Sequence, residues 1–122
     1  MKLQLTNTGN LKQFTSHGEG YVAVNGVRYE RSIVVTPEQV LTDWTVQDFA
    51  SLESSHFAYL LALQPEILLF GTGATQQFPH PGLYRELIQA CIGIECMDTA
   101  AVCRTYNILM AEDRKVVAAI LL

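Results

Sequence analysis

Two short segments in the second half of the chain carry residue types that could do chemistry. Gly71-Thr72-Gly73 follows the apolar run Ile67-Leu68-Leu69-Phe70, and Asp98-Thr99 follows Ile94-Glu95-Cys96-Met97. Both stand where an apolar strand would pass into a helix, which is where open α/β sheets bind ligands. A glycine pair lets backbone approach a ligand closely, and a helix start offers N–H donors to an anion. The nucleotide patterns are missing, since Gln76 breaks G-x-G-x-x-G and no G-x-x-x-x-G-K-[ST] occurs. Two readings stay open: a small-anion crevice of Gly71, Thr72, Gly73, Asp98 and Thr99, or a tight strand-to-loop turn beside an ordinary helix cap.

The helix expected from Asp98 to about Ala111 sets Arg104 and Asn107 three residues apart, hence on one face. A guanidinium beside an amide can hold a carboxylate or phosphate, so these two would complete the crevice if that face borders the glycine segment. The competing reading makes Asp98 an N-cap, lets Thr105 bond back to a carbonyl, and pairs Arg104 with Glu112 or Glu95.

No catalytic residue is expected. His17, His56 and His80 are scattered, without H-x-x-x-H or H-E-x-x-H spacing, so no metal site is expected either. Ser54-Ser55-His56 puts hydroxyls next to an imidazole in sequence, yet adjacent helical side chains diverge. Cys91, Cys96 and Cys103 are spaced C-x4-C-x6-C. They fit neither a zinc hook nor a redox C-x-x-C and read as buried free thiols. Only Cys103, beside Arg104, has a neighbour that could activate it. No cofactor is implied.

The elements that must hold these residues follow from the apolar pattern. Tyr21-Val22-Ala23-Val24, Asn25-Gly26 and Val27-Arg28-Tyr29-Glu30 spell a hairpin with a type I′ turn. The two-residue loop sets Val24 opposite Val27 and Val22 opposite Tyr29, and these four form the expected core face. Ile33-Val34-Val35 is expected to prolong the second strand, and Gln39 to Asp43, ending at Trp44, to form another. Phe57, Leu60, Leu61 and Leu63 then recur at helical spacing until Pro65, with Ser51, Ser54 or Ser55 as the N-cap. Ile67 to Phe70 is a continuous apolar strand, expected to be central. A helix opens at Pro81 and stops at Gly93; a strand at Ile94 to Met97, the Asp98 helix and a last strand from Val116 to Leu122 complete a β-α-β-α-β half. The fold class is α/β: a mixed sheet with an antiparallel N-terminal hairpin.

The 122 residues are 49% apolar and 16% charged, the balance of a single compact domain spanning residues 1–122. Residues 1–16 form a leading segment, and the core runs from about 20 to 122. Eight basic and twelve acidic side chains give a charge of −4 with no basic run, which removes the footprint of a nucleic-acid binder. Met1 to Thr8 lacks the apolar region of a secretory signal, and no run approaches the length of a membrane span, so no membrane insertion is expected. The unpaired cysteines then favour a reducing, cytoplasmic setting. The all-apolar last strand is expected inside the sheet, which permits a monomer; an edge position would favour a dimer.

Gly71-Thr72-Gly73 after its strand, the run Met97 to Leu109 and then Glu112 and Arg114 before a final strand carry a resemblance. They resemble the small domain-of-unknown-function family that includes the mitochondrial NADH dehydrogenase (complex I) assembly factor 3 and the adipogenesis-associated domain-containing protein. The resemblance extends over Trp44 and the Phe57 to Pro65 helix. It implies a three-layer mixed α/β domain with helices on one side of the sheet and an antiparallel portion against it. It brings no reaction, and implies a non-enzymatic interaction or assembly protein with a protein partner; the alternative is an anion-binding protein or enzyme using the glycine crevice. Two departures stand out: Asp113 occupies the place of a usual glycine, so a left-handed helix stop there would be strained, and a usual proline near the end is missing.

Overall fold

A computed structural model describes residues 11–122, so the opening segment Met1 to Thr8 lies outside the described residues. Asn25 and Gly26 take φ of 48° and 84°, the pair of positive values a type I′ turn needs. The turn joins β2 (Tyr21–Val24) to β3 (Val27–Tyr29) in the expected register, Val24 opposite Val27 and Val22 opposite Tyr29. Val22 and Val24 are buried, but Val27 is 55% exposed at the tip, so the expected four-residue core face is only partly realised. On the other face Arg28 lies over the Tyr21 ring at 3.9 Å. The leading segment contributes a strand that the pattern did not suggest: β1 (Phe14–Gly18) pairs antiparallel with β2, with a bulge between Phe14 and Ser16.

Ile33-Val34-Val35 does not prolong β3. It forms β4 (Ile33–Val35) in a second sheet, paired with β5 (Val40–Leu41) on one side and with β8 (Val116–Ile120) on the other, antiparallel to both. The polar break Glu30-Arg31-Ser32 carries the chain between sheets. All three β4 residues are fully buried because both faces of the second sheet are covered.

β6 (Ile67–Gly71) lies parallel to β8 on one side and to β7 (Gly93–Met97) on the other, giving the order β5-β4-β8-β6-β7. The last strand is thus interior, as expected, and β6 is its inner neighbour. Alternation sorts the side chains. Ile33, Val35, Leu69, Val116, Ala118 and Ile120 face one core; Val34, Leu68, Phe70, Val117 and Ala119 face the other.

Three helices complete the layers: α1 (Ser54–Leu61), α2 (Arg85–Gln89) and α3 (Thr99–Ala111). Phe57 and Leu60 of α1 and Leu87 of α2 fill the second core with Trp44. Val102, Cys103, Tyr106 and Met110 of α3 fill the first, together with Phe14, Val22 and Val24 of the small sheet. The helices therefore do not share one side, and α3 lies on the hairpin side. Chirality accounts for this. The β6-to-β7 and β7-to-β8 crossovers run in opposite directions along the sheet, so right-handed connections put α2 and α3 on opposite faces.

Helix ends differ from expectation in detail. Glu53, not a serine, precedes α1, and its N–H donates to His56 Nδ1 at 2.9 Å. Pro81–Tyr84 is a 3₁₀ turn ahead of α2, and Cys91 at φ 62° makes the stop assigned to Gly93, which begins β7 instead.

Candidate functional site

The carboxyl ends of β6 and β7 meet as expected, and their loops are fastened to each other. Thr72 N–H donates to the Met97 carbonyl and Thr99 N–H to the Gly73 carbonyl, both at 2.9 Å, which continues strand pairing past the strand ends. Thr72 is 4% exposed; its hydroxyl donates to the Thr75 carbonyl at 2.7 Å and accepts from Gln77 N–H at 3.0 Å. The chain beyond β8 closes the other side, with Leu121 N–H on the Gly71 carbonyl at 2.9 Å and the Thr99 hydroxyl on the Leu121 carbonyl at 3.5 Å.

The two glycines have separate structural reasons. A Cβ at Gly71 would stand 3.2 Å from Val102 Cγ2, so this glycine lets α3 lie close on β6. Gly73 has φ 93°, a turn conformation. Asp98 accepts from Ala101 N–H at 2.8 Å, the N-cap bond of α3, worth roughly 1 kcal/mol.

Arg104 and Asn107 do share a groove, but it faces β1. There they line a cavity of about 340 Å³ with Phe14 to His17 and Cys103, whereas Thr72 and Gly73 border another cavity with Asp48 to Ala50. The structure thus joins Gly71, Thr72, Gly73, Asp98 and Thr99 and sets Arg104 and Asn107 apart. Asn107 Oδ1 accepts from Phe14 N–H at 2.9 Å while Nδ2 donates to the Phe14 carbonyl at 2.8 Å. The amide imitates a neighbouring strand and holds β1 at its bulge. Tyr106 assists: its hydroxyl donates to the Lys12 carbonyl at 2.9 Å and its ring meets Phe14 edge-on, centroids 5.1 Å apart. Arg104 forms no ion pair with Glu95 or Glu112; the ion pairs among the described residues are Arg28–Glu30 and Arg114–Glu66.

The remaining candidates separate by burial. Cys103 is buried, and burial pushes its thiol up to about 12 against the opposing pull of the Arg104 charge, so it is no nucleophile at neutral pH. Cys96 is raised as well, by burial and then by the Glu95 charge. Cys91 is exposed, which corrects the expectation of three buried thiols. His56 and His80 act as local acceptors for Glu53 N–H and Gly82 N–H, and His17 lies on β1. No three potential metal ligands cluster among the described residues.

One feature escaped the sequence reading. Arg31 and Ser32 line a cavity of about 400 Å³ with Thr42, Thr45, Val46 and Leu122. Its one trace in the sequence is the polar break Glu30-Arg31-Ser32 between two apolar runs.

Comparison with known proteins agrees with this architecture. A crystal structure of a protein from Bordetella parapertussis superposes with a TM-score of 0.85 at 44% identity, covering 91% of this chain and 95% of that one. The "13 kDa major membrane protein" of Francisella tularensis is 31% identical over 84% of this chain and 85% of its own length. The NADH dehydrogenase [ubiquinone] 1 alpha subcomplex assembly factor 3 of Danio rerio is 35% identical over 80% of this chain, which spans 57% of that longer relative. Among the described residues no helix is long and apolar enough to cross a membrane. A family profile matches residues 14–121, from the first residue of β1 to the residue after β8, and by that match this chain belongs to the DUF498/DUF598 family of proteins of unknown function.

Proposed function

We propose that this domain works by binding a protein partner, as an assembly-type interaction module, without turning over a substrate. The observation that carries this reading is the use made of the run Asp98 to Asn107. Asp98 caps α3, Thr99 fastens the end of β8, Cys103 and Tyr106 fill the core, and Asn107 holds β1. These side chains serve the fold itself. Relatives named as assembly factors support the same direction. A partner would find apolar anchors on the β6-to-β7 connection, where Phe78 is 71% and Ile88 53% exposed.

The test is co-purification probed for NADH dehydrogenase subunits. Phe78→Asp with Ile88→Asp should lose the partner while the circular dichroism spectrum and melting temperature stay unchanged. A metabolite turned over at a rate abolished by Thr72→Ala or Asp98→Ala, in a protein that still folds, overturns the proposal. A cytoplasmic location belongs to the same reading, and fractionation that finds the protein in membranes after a salt wash contradicts it.

A further inference from the structure

We propose that the cavity between the break Glu30-Arg31-Ser32 and the segment 42–47 is a binding site for a small anion, a carboxylate or phosphate carrying a modest apolar body. The site is independent of the partner surface on the β6-to-β7 connection. Its position follows from the sheet. Ile33 pairs with Ile120 and Val34 with Leu41, so the entry to β4, the exit from β5 and the chain leaving β8 converge on one edge. Gly71 ends β6 at that edge too. This is the carboxyl edge of the parallel strands, where such sheets place their ligands. The β6 and β7 loops there are tied to each other by the chain's own bonds, and the cavity opens on the other side of β8.

Ser32 supplies the second argument. It is 6% exposed, and its hydroxyl has no hydrogen-bond partner among the described residues. The other buried hydroxyls, on Thr36, Thr72, Thr99 and Tyr106, are all bonded. A buried hydroxyl left unpaired is costly and rare in folded proteins, so this position calls for a partner from outside the chain. Charge supplies the third argument. Arg31 lines the same cavity and forms no ion pair among the described residues, because the adjacent Glu30 carboxylate accepts from Arg28 Nε at 2.7 Å. Glu30 is the only acidic residue along the cavity. A free guanidinium, the Ser32 hydroxyl and the hydroxyls of Thr42 and Thr45 form a donor set suited to an oxyanion. Val46 and Leu122 give the apolar wall, and about 400 Å³ accommodates a small metabolite.

The test titrates the intact protein with inorganic phosphate and, separately, with sodium hexanoate at constant ionic strength. Melting temperature and amide resonances of residues 30–32 and 42–47 are followed. One of the two probes should raise the melting temperature by mass action and move those resonances; which one does so identifies phosphate or carboxylate as the anion. Arg31→Ala should weaken that binding at least tenfold. Ser32→Ala should weaken it several-fold while leaving the free protein as stable as before or more so, since it removes an unpaired hydroxyl. The proposal fails if neither probe binds, if binding survives Arg31→Ala, or if Ser32→Ala destabilises the free protein, which would mean that the hydroxyl already has a partner.

Discussion

Asn107 imposes a condition that its polar neighbours on α3 do not. Both ends of its amide are engaged by the N–H and the carbonyl of one β1 residue, Phe14, so a replacement must offer an acceptor and a donor together. Asn107→Ala should cost about 2 kcal/mol in urea unfolding, at roughly 1 kcal/mol for each lost bond. Asn107→Asp keeps the acceptor, loses the donor, and should fall between. If instead Asn107→Ala leaves stability intact, Asn107 does not hold β1. Cys103 makes a second residue-scale prediction. Burial raises its folded-state value from 9.0 to about 12, so the folded state keeps the proton where the unfolded chain sheds it. The stabilisation is complete below pH 9 and is lost as pH climbs from about 9 toward 12. Stability of the wild type should therefore fall more steeply over pH 9 to 10.5 than that of Cys103→Ala, by up to about 1.4 kcal/mol per pH unit. Equal slopes would show that the thiol is not shielded. The residue types at 104 and 107 were legible as polar groups on one helical face, but which element that face meets is a tertiary fact. β1, whose Phe-Thr-Ser-His-Gly run lacks an apolar alternation, gave no hint of itself.

The ends of elements show where local chemistry decides and where packing overrides it. Asp113 ends the region after α3 with φ 67°, the left-handed conformation expected when an aspartate replaces a helix-stopping glycine. Asp113→Gly should raise stability by up to about 1 kcal/mol in denaturant unfolding, and a loss of stability would mean that the Asp113 side chain makes an interaction that outweighs the strain. The hairpin register was readable because a two-residue turn leaves one pairing open to it, and the Asp98 cap because an acidic residue stood just before a helical period. The jump of Ile33-Val34-Val35 to another sheet was not. Three β-branched residues look alike as the end of one strand or the whole of another, and Glu30-Arg31-Ser32 was too short a break to decide between them. The side taken by α3 is intermediate: it follows from right-handed crossovers once the order β8-β6-β7 is known, but no pattern within the chain fixes that order.

At the scale of the whole molecule, the placement of β8 in the middle of five strands removes the most apolar segment from any edge. While β1 and β3 are the edges of the small sheet, the edges left to this five-stranded sheet are short β5, with two residues, and β7. β7 is the longer edge and would be the natural place for a second copy to add a strand. Two devices oppose that. Glu95, exposed at its midpoint, would meet its own image in a two-fold antiparallel pair, and Gln76 Nε2 donates to the Cys96 carbonyl at 2.9 Å, occupying an acceptor that a neighbouring strand would need. We therefore propose a monomer. Light scattering should give the monomer mass at tens of micromolar protein, and Glu95→Val combined with Gln76→Ala should introduce concentration-dependent association without changing the circular dichroism spectrum. A wild-type dimer that survives disruption of β7 pairing would place the contact elsewhere and defeat the argument from edges. A dimer abolished by Phe78→Asp would assign the partner surface on the β6-to-β7 connection to a second copy of this chain.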